Sequence, residues 1–165
     1  MEFRLIQPEE AEKFRTLRLT ALKECPECFA SSYDEEKTIS LARFKEQLTT
    51  INSYVYGAFR NEELVGTLTL VEETKQKLNH RATIFAMYIS CDYRKNGIGK
   101  KLLQEAIKKA NELQLEQVYL TVVSSNEPAK NLYYSQGFKS FGYEKRALKV
   151  DGVYYDEEHL VHFLI

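Results

Sequence analysis

The stretch Ala82–Leu103, ATIFAMYISCDYRKNGIGKKLL, decides how this 165-residue chain is read. Its first part, Ala82–Ser90, is β-branched and aromatic and predicts a strand. From about Gly97 the pattern changes. Ile98, Leu102, Leu103, Ala106, Ile107, Ala110 and Leu113 recur at helical spacing, with Lys100, Lys101, Glu105, Lys108, Lys109 and Glu112 on the other side. Between strand and helix, Arg94-Lys95-Asn96-Gly97-Ile98-Gly99-Lys100-Lys101 carries four cations and no acid. A Gly-rich turn at a helix N-terminus presents N–H groups without intrahelical partners, which suits a phosphate. Gly97 and Gly99 remove Cβ atoms where a ligand must touch backbone. Arg94 offers a charged fork, and Lys100 or Lys101 a point charge. The spacing is neither a Walker loop nor a dinucleotide fingerprint, whose third glycine would fall at Leu102. A bare Gly-x-Gly also fits an ordinary strand-to-helix turn with solvated lysines, so the rest of the chain has to decide.

Working outward, Phe3–Ile6 predicts a short strand and Pro8-Glu9-Glu10 the start of a helix, with Phe14, Leu17, Ala21 and Leu22 inward. Pro26 ends that helix, and residues 26–37 read as a loop holding Phe29 and Tyr33. A second helix starts near Thr38 or Ser40 and turns Leu41, Phe44 and Leu48 to one side. Ser53–Arg60 and Leu64–Glu72 flank Asn61-Glu62-Glu63 as a hairpin. Gln117–Val123 is a strand. Asn126 precedes a short helix, Glu127–Gln136, with Pro128 in its first turn and Gly137 just past its end. Lys139–Leu148 and Val153–Ile165 flank Asp151-Gly152, a strong hairpin signal. The order is β-α-α-β-β-β-α-β-α-β-β, read as one domain over residues 1–165.

Composition narrows the function classes. The chain is 44% hydrophobic and 28% charged with a formal net charge of −1. Global charge therefore gives no support to a nucleic-acid or anionic-membrane partner. No apolar run approaches the roughly 20 residues of a membrane span, and MEFRLIQPEE lacks the form of a signal peptide. The expected location is cytoplasmic. Three cysteines, Cys25, Cys28 and Cys91, cannot close a disulfide framework. Cys25-Pro26-Glu27-Cys28 follows a helix instead of preceding one, and lacks a second pair of soft ligands for zinc. These cysteines are read as thiols in a helix-to-loop connection, and no metal is expected. His159 and His162 lie three apart in a strand and face opposite ways, so they make no metal pair.

Two patterns then come together. Arg94-Lys95-Asn96-Gly97-Ile98-Gly99 fits [RQ]-x-x-G-x-[GA] at every fixed position. Asn126, Ala129, Leu132, Tyr133, Gly137 and Phe138 fit N-x-x-A-x-x-L-Y-x-x-x-G-F, one helix and one strand further on. On these residues the chain resembles the GCN5-related N-acetyltransferase (GNAT) superfamily, well from about Tyr56 onward and in outline before that. The resemblance implies a mixed α/β fold. Its central sheet has about seven mostly antiparallel strands, helices on both faces, and a fourth and fifth strand that splay apart. It implies acetyl-CoA as cosubstrate, without a metal. The pantetheine would pair with Met87-Tyr88-Ile89, and the pyrophosphate would sit on Arg94, Lys95, Asn96, Gly97, Ile98, Gly99 and Lys100. Asn126 and Asn131 would contact the pantetheine or shape its channel. Tyr133 would protonate the departing thiolate. Phenol and thiol differ by only roughly 2 kcal/mol in acidity, so a positioned transfer is feasible. Tyr134, the next residue, points elsewhere on the helix.

The chain departs from the family at Phe85, where many relatives carry the glutamate that relays the proton from the amine. Glu35, Glu36, His80 or Asp92 could substitute, though each reads as an ordinary surface group, and a water chain to bulk solvent would serve as well; no base is assigned. Cys91 lies beside the phosphate turn, far from where an acyl group would be transferred. The implied reaction is direct attack of a primary amine on the thioester in a ternary complex. Loop Phe29–Lys37 and hairpin Lys149–Glu158 are the expected walls of the acceptor site. Their acids (Asp34, Glu35, Glu36, Asp156, Glu157, Glu158) and aromatics (Tyr33, Tyr154, Tyr155) suit a cationic small-molecule or peptide amine, though solvated acids would look the same. The alternatives are a non-catalytic acyl-CoA sensor and a nucleotide-binding regulator built on the same turn. Analogy with the fold allows a homodimer through the terminal strands.

Overall fold

The computed structural model describes residues 1–164, which fold around a seven-stranded sheet in the order β1-β2-β3-β4-β5-β7-β6; Ile165, the expected end of the last strand, lies outside the described residues. The strands are β1 (Glu2–Leu5), β2 (Ser53–Arg60), β3 (Glu63–Glu72), β4 (Arg81–Ile89), β5 (Gln117–Val123), β6 (Lys139–Val150) and β7 (Val153–Phe163). Every neighbouring pair is antiparallel except β4 and β5, which run parallel. Such a pair needs a crossover, and helix α4 (Ile98–Glu112) supplies it. The helices α1 (Ala11–Glu24), α2 (Tyr33–Glu36) and α3 (Leu41–Thr49) precede β2, and α5 (Glu127–Ser135) lies between β5 and β6.

The sheet has an apolar core on each face. On one, Leu102, Leu103, Ala106 and Ala110 of α4 and Tyr133 of α5 meet Val65, Leu68, Leu70, Val118 and Leu160. On the other, Phe14, Leu17, Ala21 and Leu22 of α1 and Phe44 of α3 meet Val55, Phe59, Leu64 and Tyr88. Phe14 and Phe44 pack edge to face, with ring centroids 5.9 Å apart. Both hairpin turns are two residues long, and Glu63, expected in the first turn, already belongs to β3. Asn61 and Glu62 have φ of 48° and 68°, and Asp151 and Gly152 have 47° and 81°, the backbone twist that hairpin loops require.

Three local features depart from expectation. Residues 26–37 are not all loop: Ser32 and Glu35 form a reciprocal capping box that starts the single turn α2. Cys25 and Cys28 are not separate thiols. The 3-10 turn Pro26–Cys28 brings their Cα atoms to 5.4 Å, and the sulfurs are bonded. Finally, β4 carries a bulge. Thr69 pairs with Phe85 but Thr67 pairs with Tyr88, so β4 uses one more residue than β3, and Ala86 takes a φ of 53°.

That bulge positions the site. β4 pairs with β5 only through Arg81, Ala82 and Thr83, opposite Gln117, Val118 and Tyr119. Beyond Thr83 the two strands part. β5 continues against β7 up to Val123 and Glu157, and β4 continues against β3 up to Gly66 and Ile89. The sheet is therefore split between its two parallel strands toward their C-terminal ends, where ligands of open α/β sheets bind.

Candidate active site

The split holds a cavity of about 400 Å³. Its walls are Thr83–Met87 of β4, Leu120–Val123 of β5, Asn126, Ala129 and Tyr133 of the α5 segment, and Glu157 of β7. Arg18 of α1 and the connection Cys28–Ser31 close it on the α1 side. The predicted loop wall thus contributes through Phe29, Ala30 and Ser31, while the hairpin wall contributes through Glu157 and not through its tip.

Tyr133 is 8% exposed. Its ring packs against Phe138, and its hydroxyl finds only the Met87 sulfur, at 3.5 Å. Burial pushes its pKa up to about 12. The phenol is thus a weaker acid than the unperturbed value used to compare it with a thiol. Tyr134 faces away from the cavity and donates to Glu158, which Lys130 also holds at 3.2 Å. Asn126 lines the cavity, but its side chain caps α5 by accepting from the Ala129 N–H at 3.3 Å. Asn131 is exposed on α5 and does not reach the cavity wall.

On β4 the three predicted cofactor contacts do not behave alike. The Ser90 N–H donates to the Val65 carbonyl at 2.9 Å. Alternation along an antiparallel ladder then points the Tyr88 N–H toward β3 as well, and those of Met87 and Ile89 toward the split. Tyr88 belongs to the opposite core, where its hydroxyl donates to Glu24. Phe85, in place of the family glutamate, is 54% exposed and forms part of the cavity wall.

At the far end of β4 the turn leads into α4. The main-chain N–H groups of Lys95, Asn96, Gly97, Ile98, Gly99 and Lys100 meet no acceptor among the described residues. Arg94, Lys95, Lys100 and Lys101 are exposed around them. The two glycines serve different needs. Gly97 caps α4 with φ +73°, and a Cβ there would project into open space. At Gly99 a Cβ would meet Met87 Cε at 2.9 Å and Leu132 Cδ2 at 3.1 Å, so its absence lets α4 pack closely on β4 and α5. Arg94 is turned back from the turn. Its Nε donates to the Ile89 carbonyl at 2.9 Å, and its guanidinium stacks over Tyr88 and lies 3.8 Å from Glu24. Cys91, exposed in the 3-10 turn Cys91–Tyr93, does not line the cavity.

The acids named for a cationic acceptor are largely engaged elsewhere. Asp34 pairs with Lys37 at 2.7 Å, and Glu35 caps α2. Glu36 forks onto Arg18 at 2.8 and 2.9 Å. Asp156 accepts from the Arg146 N–H and Tyr143, and Glu158 from Tyr134 and Lys130. Only Glu157 both opens on the cavity and accepts no hydrogen bond among the described residues. Sequence alone placed it in a run of three acids with nothing to single it out. His159 lies on its side of β7, while His162 stacks on Phe138 across the sheet.

No helix among the described residues is long and apolar enough to cross a membrane. Among known proteins, human N-alpha-acetyltransferase 30 is 25% identical over 136 residues, covering 82% of this chain and 38% of that protein. The chain spans less than two thirds of the curated relatives it matches first, from 38% to 63% of their length. The acetyltransferase of GNAT family from Streptococcus pneumoniae shares the fold, with a TM-score of 0.87 at 23% identity and 99% coverage of both chains. So does yncA from Salmonella typhimurium, solved with its cofactor acetyl-CoA, with a TM-score of 0.83 at 15% identity over 100% of this chain and 94% of that one. With the acetyltransferase (GNAT) family model matching residues 17–138, and the split sheet and glycine turn in place, the chain belongs to the GNAT acetyltransferase family.

Proposed function

We propose that this chain is an acetyl-CoA-dependent N-acetyltransferase that acetylates a primary amine by direct attack within a ternary complex. What supports the reading is the order of parts along one strand and its exit. β4 carries the bulge beside a cavity that Tyr133 lines, and the turn after it presents six N–H groups, Lys95 to Lys100, that meet no acceptor among the described residues.

The residues present fit the cosubstrate. A diphosphate carries the charge that the amides of Lys95–Lys100 and the exposed Lys95, Lys100 and Lys101 would neutralise. The outward N–H groups of Met87 and Ile89 leave a strand edge free for an amide-bearing arm. Acetyl-CoA, when bound, supplies a thioester, an electrophile that an amine attacks without a metal. Backbone donors of β4 would hold the carbonyl oxygen as charge develops on it. Ala86 and Phe85, displaced by the bulge, widen the split where acetyl group and amine meet. Tyr133 would give its proton to the departing sulfur, since its hydroxyl is committed only to the soft Met87 acceptor. Its raised pKa does not preclude this, because a thiolate held against the same buried ring carries a desolvation penalty of its own. The acceptor is a small-molecule or peptide amine.

The test is release of free thiol from acetyl-CoA across an amine panel of spermidine, an aminoglycoside, free amino acids and short peptides. It is run beside thermal-shift titrations with acetyl-CoA, CoA, ATP and NAD. The expected result is a shift with acetyl-CoA and CoA, and turnover with at least one amine. A shift confined to ATP or NAD would replace the cofactor assignment. Acetyl-CoA binding without turnover by any amine would favour a sensor.

A further inference from the structure

From the cavity that Tyr133 and Glu157 share, we infer that Glu157 is the general base that takes the proton from the attacking amine, held and drained by Glu144 and His159. The inference rests on the acetyltransferase reading above and supplies the base that Phe85 cannot.

Glu157 sits on β7 opposite Val123 of β5 and Glu144 of β6. Its neighbour Glu158 points to the α5 side and is consumed by Lys130 and Tyr134. The alternation of a strand therefore sends Glu157 to the face that carries the cavity mouth. Its carboxylate, the His159 ring and the Glu144 carboxylate approach within 4.8 Å of one another, a spacing that one water can bridge. His159 is fixed on both sides. Its Nε2 lies 3.1 Å from Glu144, and its Nδ1 lies 3.2 Å from the Thr121 hydroxyl. Glu144 is exposed, so the chain Glu157, His159, Glu144 runs from the cavity to solvent.

Burial disfavours the Glu157 carboxylate most; Glu144 on β6 adds repulsion, and His159 on β7 offsets part of that. Together they raise its affinity for a proton above that of an ordinary glutamate. Arg18 of α1 reaches the same cavity but is forked onto Glu36 of α2, which cancels its charge. β5 lines the cavity with Leu120, Thr121, Val122 and Val123, none of which carries a charge, and α5 adds Ala129 and the neutral Tyr133. Arg81 of β4 lies beyond Thr83, in the neighbouring hollow that His159 also lines.

The step balances. The ammonium gives one proton to Glu157, the nitrogen forms a bond to the acetyl carbon, and the C–S bond breaks. The sulfur takes a proton from Tyr133, the second proton on the acylated nitrogen passes to the Tyr133 oxygen and restores the phenol, and the Glu157 proton leaves through His159 and Glu144 to water, so amine and thioester become amide, thiol and one released proton. A carboxylate that only anchored the ammonium would lower affinity for the amine when removed. A base lowers kcat.

The experiment uses the whole chain with acetyl-CoA and the best amine of the panel above, comparing wild type, Glu157→Gln and Glu144→Gln. Glu157→Gln should lower kcat by about 100-fold or more. It should abolish the acid limb of the kcat profile and leave acetyl-CoA affinity by calorimetry unchanged. A second readout needs no turnover. In carbon-labelled protein, the Glu157 carboxyl should titrate above the exposed glutamates, and Glu144→Gln should bring it down. Wild-type kcat in Glu157→Gln with acetyl-CoA still bound, a change in KM alone, or a Glu157 that titrates with the surface glutamates would each overturn the base. Wild-type protein that binds no acetyl-CoA would overturn the transferase reading and the base together.

Discussion

Replacing Tyr133 with phenylalanine separates catalysis from stability in a way the structure quantifies. The hydroxyl is buried, and its only partner among the described residues is the Met87 sulfur at 3.5 Å. A buried hydroxyl left unpaired costs about 1–3 kcal/mol, and a thioether returns only part of that. The edge-to-face contact with Phe138, at 6.0 Å, survives in Tyr133→Phe. The variant should therefore be as stable as wild type or up to ~1 kcal/mol more stable, a rise of about 2–4 °C in Tm for a chain of this size. Activity should go the other way. Losing a positioned acid costs about 10²- to 10⁴-fold in kcat, or roughly 3–5 kcal/mol of barrier. Thermal unfolding, acetyl-CoA calorimetry and thiol release on one preparation would read all three quantities. The reasoning is refuted if Tyr133→Phe turns over like wild type, or if kcat falls only in proportion to lost stability or lost acetyl-CoA affinity.

Gly97→Ala should cost about 1 kcal/mol, because φ +73° strains any Cβ even where space is open. It should also weaken acetyl-CoA in calorimetry by placing a methyl group over the free amides. Ala86→Gly should raise Tm by about 2–4 °C, since relieving an alanine at φ 53° returns roughly 1 kcal/mol; an unchanged or lower Tm would contradict the strain. Glu10 forks onto Arg4 at two distances of 2.8 Å, which lowers its pKa from 4.5 to about 2. A depressed carboxylate stabilises the fold above its unfolded pKa and loses that contribution as pH falls. The stability it supplies should therefore decline between about pH 4.5 and about pH 2. With Arg4 one-third exposed, Glu10→Gln should cost about 1–2 kcal/mol near neutrality and only a small remainder at pH 2 in denaturant melts.

What the sequence showed and what it hid follow from how far apart the causes lie. The strands and α4 were legible because period and β-branching are local. So were the hairpins, where Asp151-Gly152 names its own turn. The strand, turn and helix order around the glycines was legible, but the separate reasons for Gly97 and Gly99 were not, since Gly99 answers to Met87 and Leu132 in other elements. The bulge at Ala86 left no trace, because alanine gives no hint of a positive φ. The single turn α2 had a local signal in Ser32 and Glu35 that the surrounding polar run obscured. The Cys25–Cys28 bond depends on the turn at Pro26. The distinction of Glu157 from Asp156 and Glu158 depends on which of them finds a cation or hydroxyl across the sheet, and no local pattern carries that.

The most direct trial of the account is a crystal structure of the chain with acetyl-CoA bound. The account predicts the diphosphate on the amides of Lys95–Lys100, the pantetheine along the free edge of Met87 and Ile89, and the sulfur beside the Tyr133 hydroxyl with Glu157 across the cavity. A diphosphate held elsewhere, or a thioester lying outside the gap between β4 and β5, would contradict it.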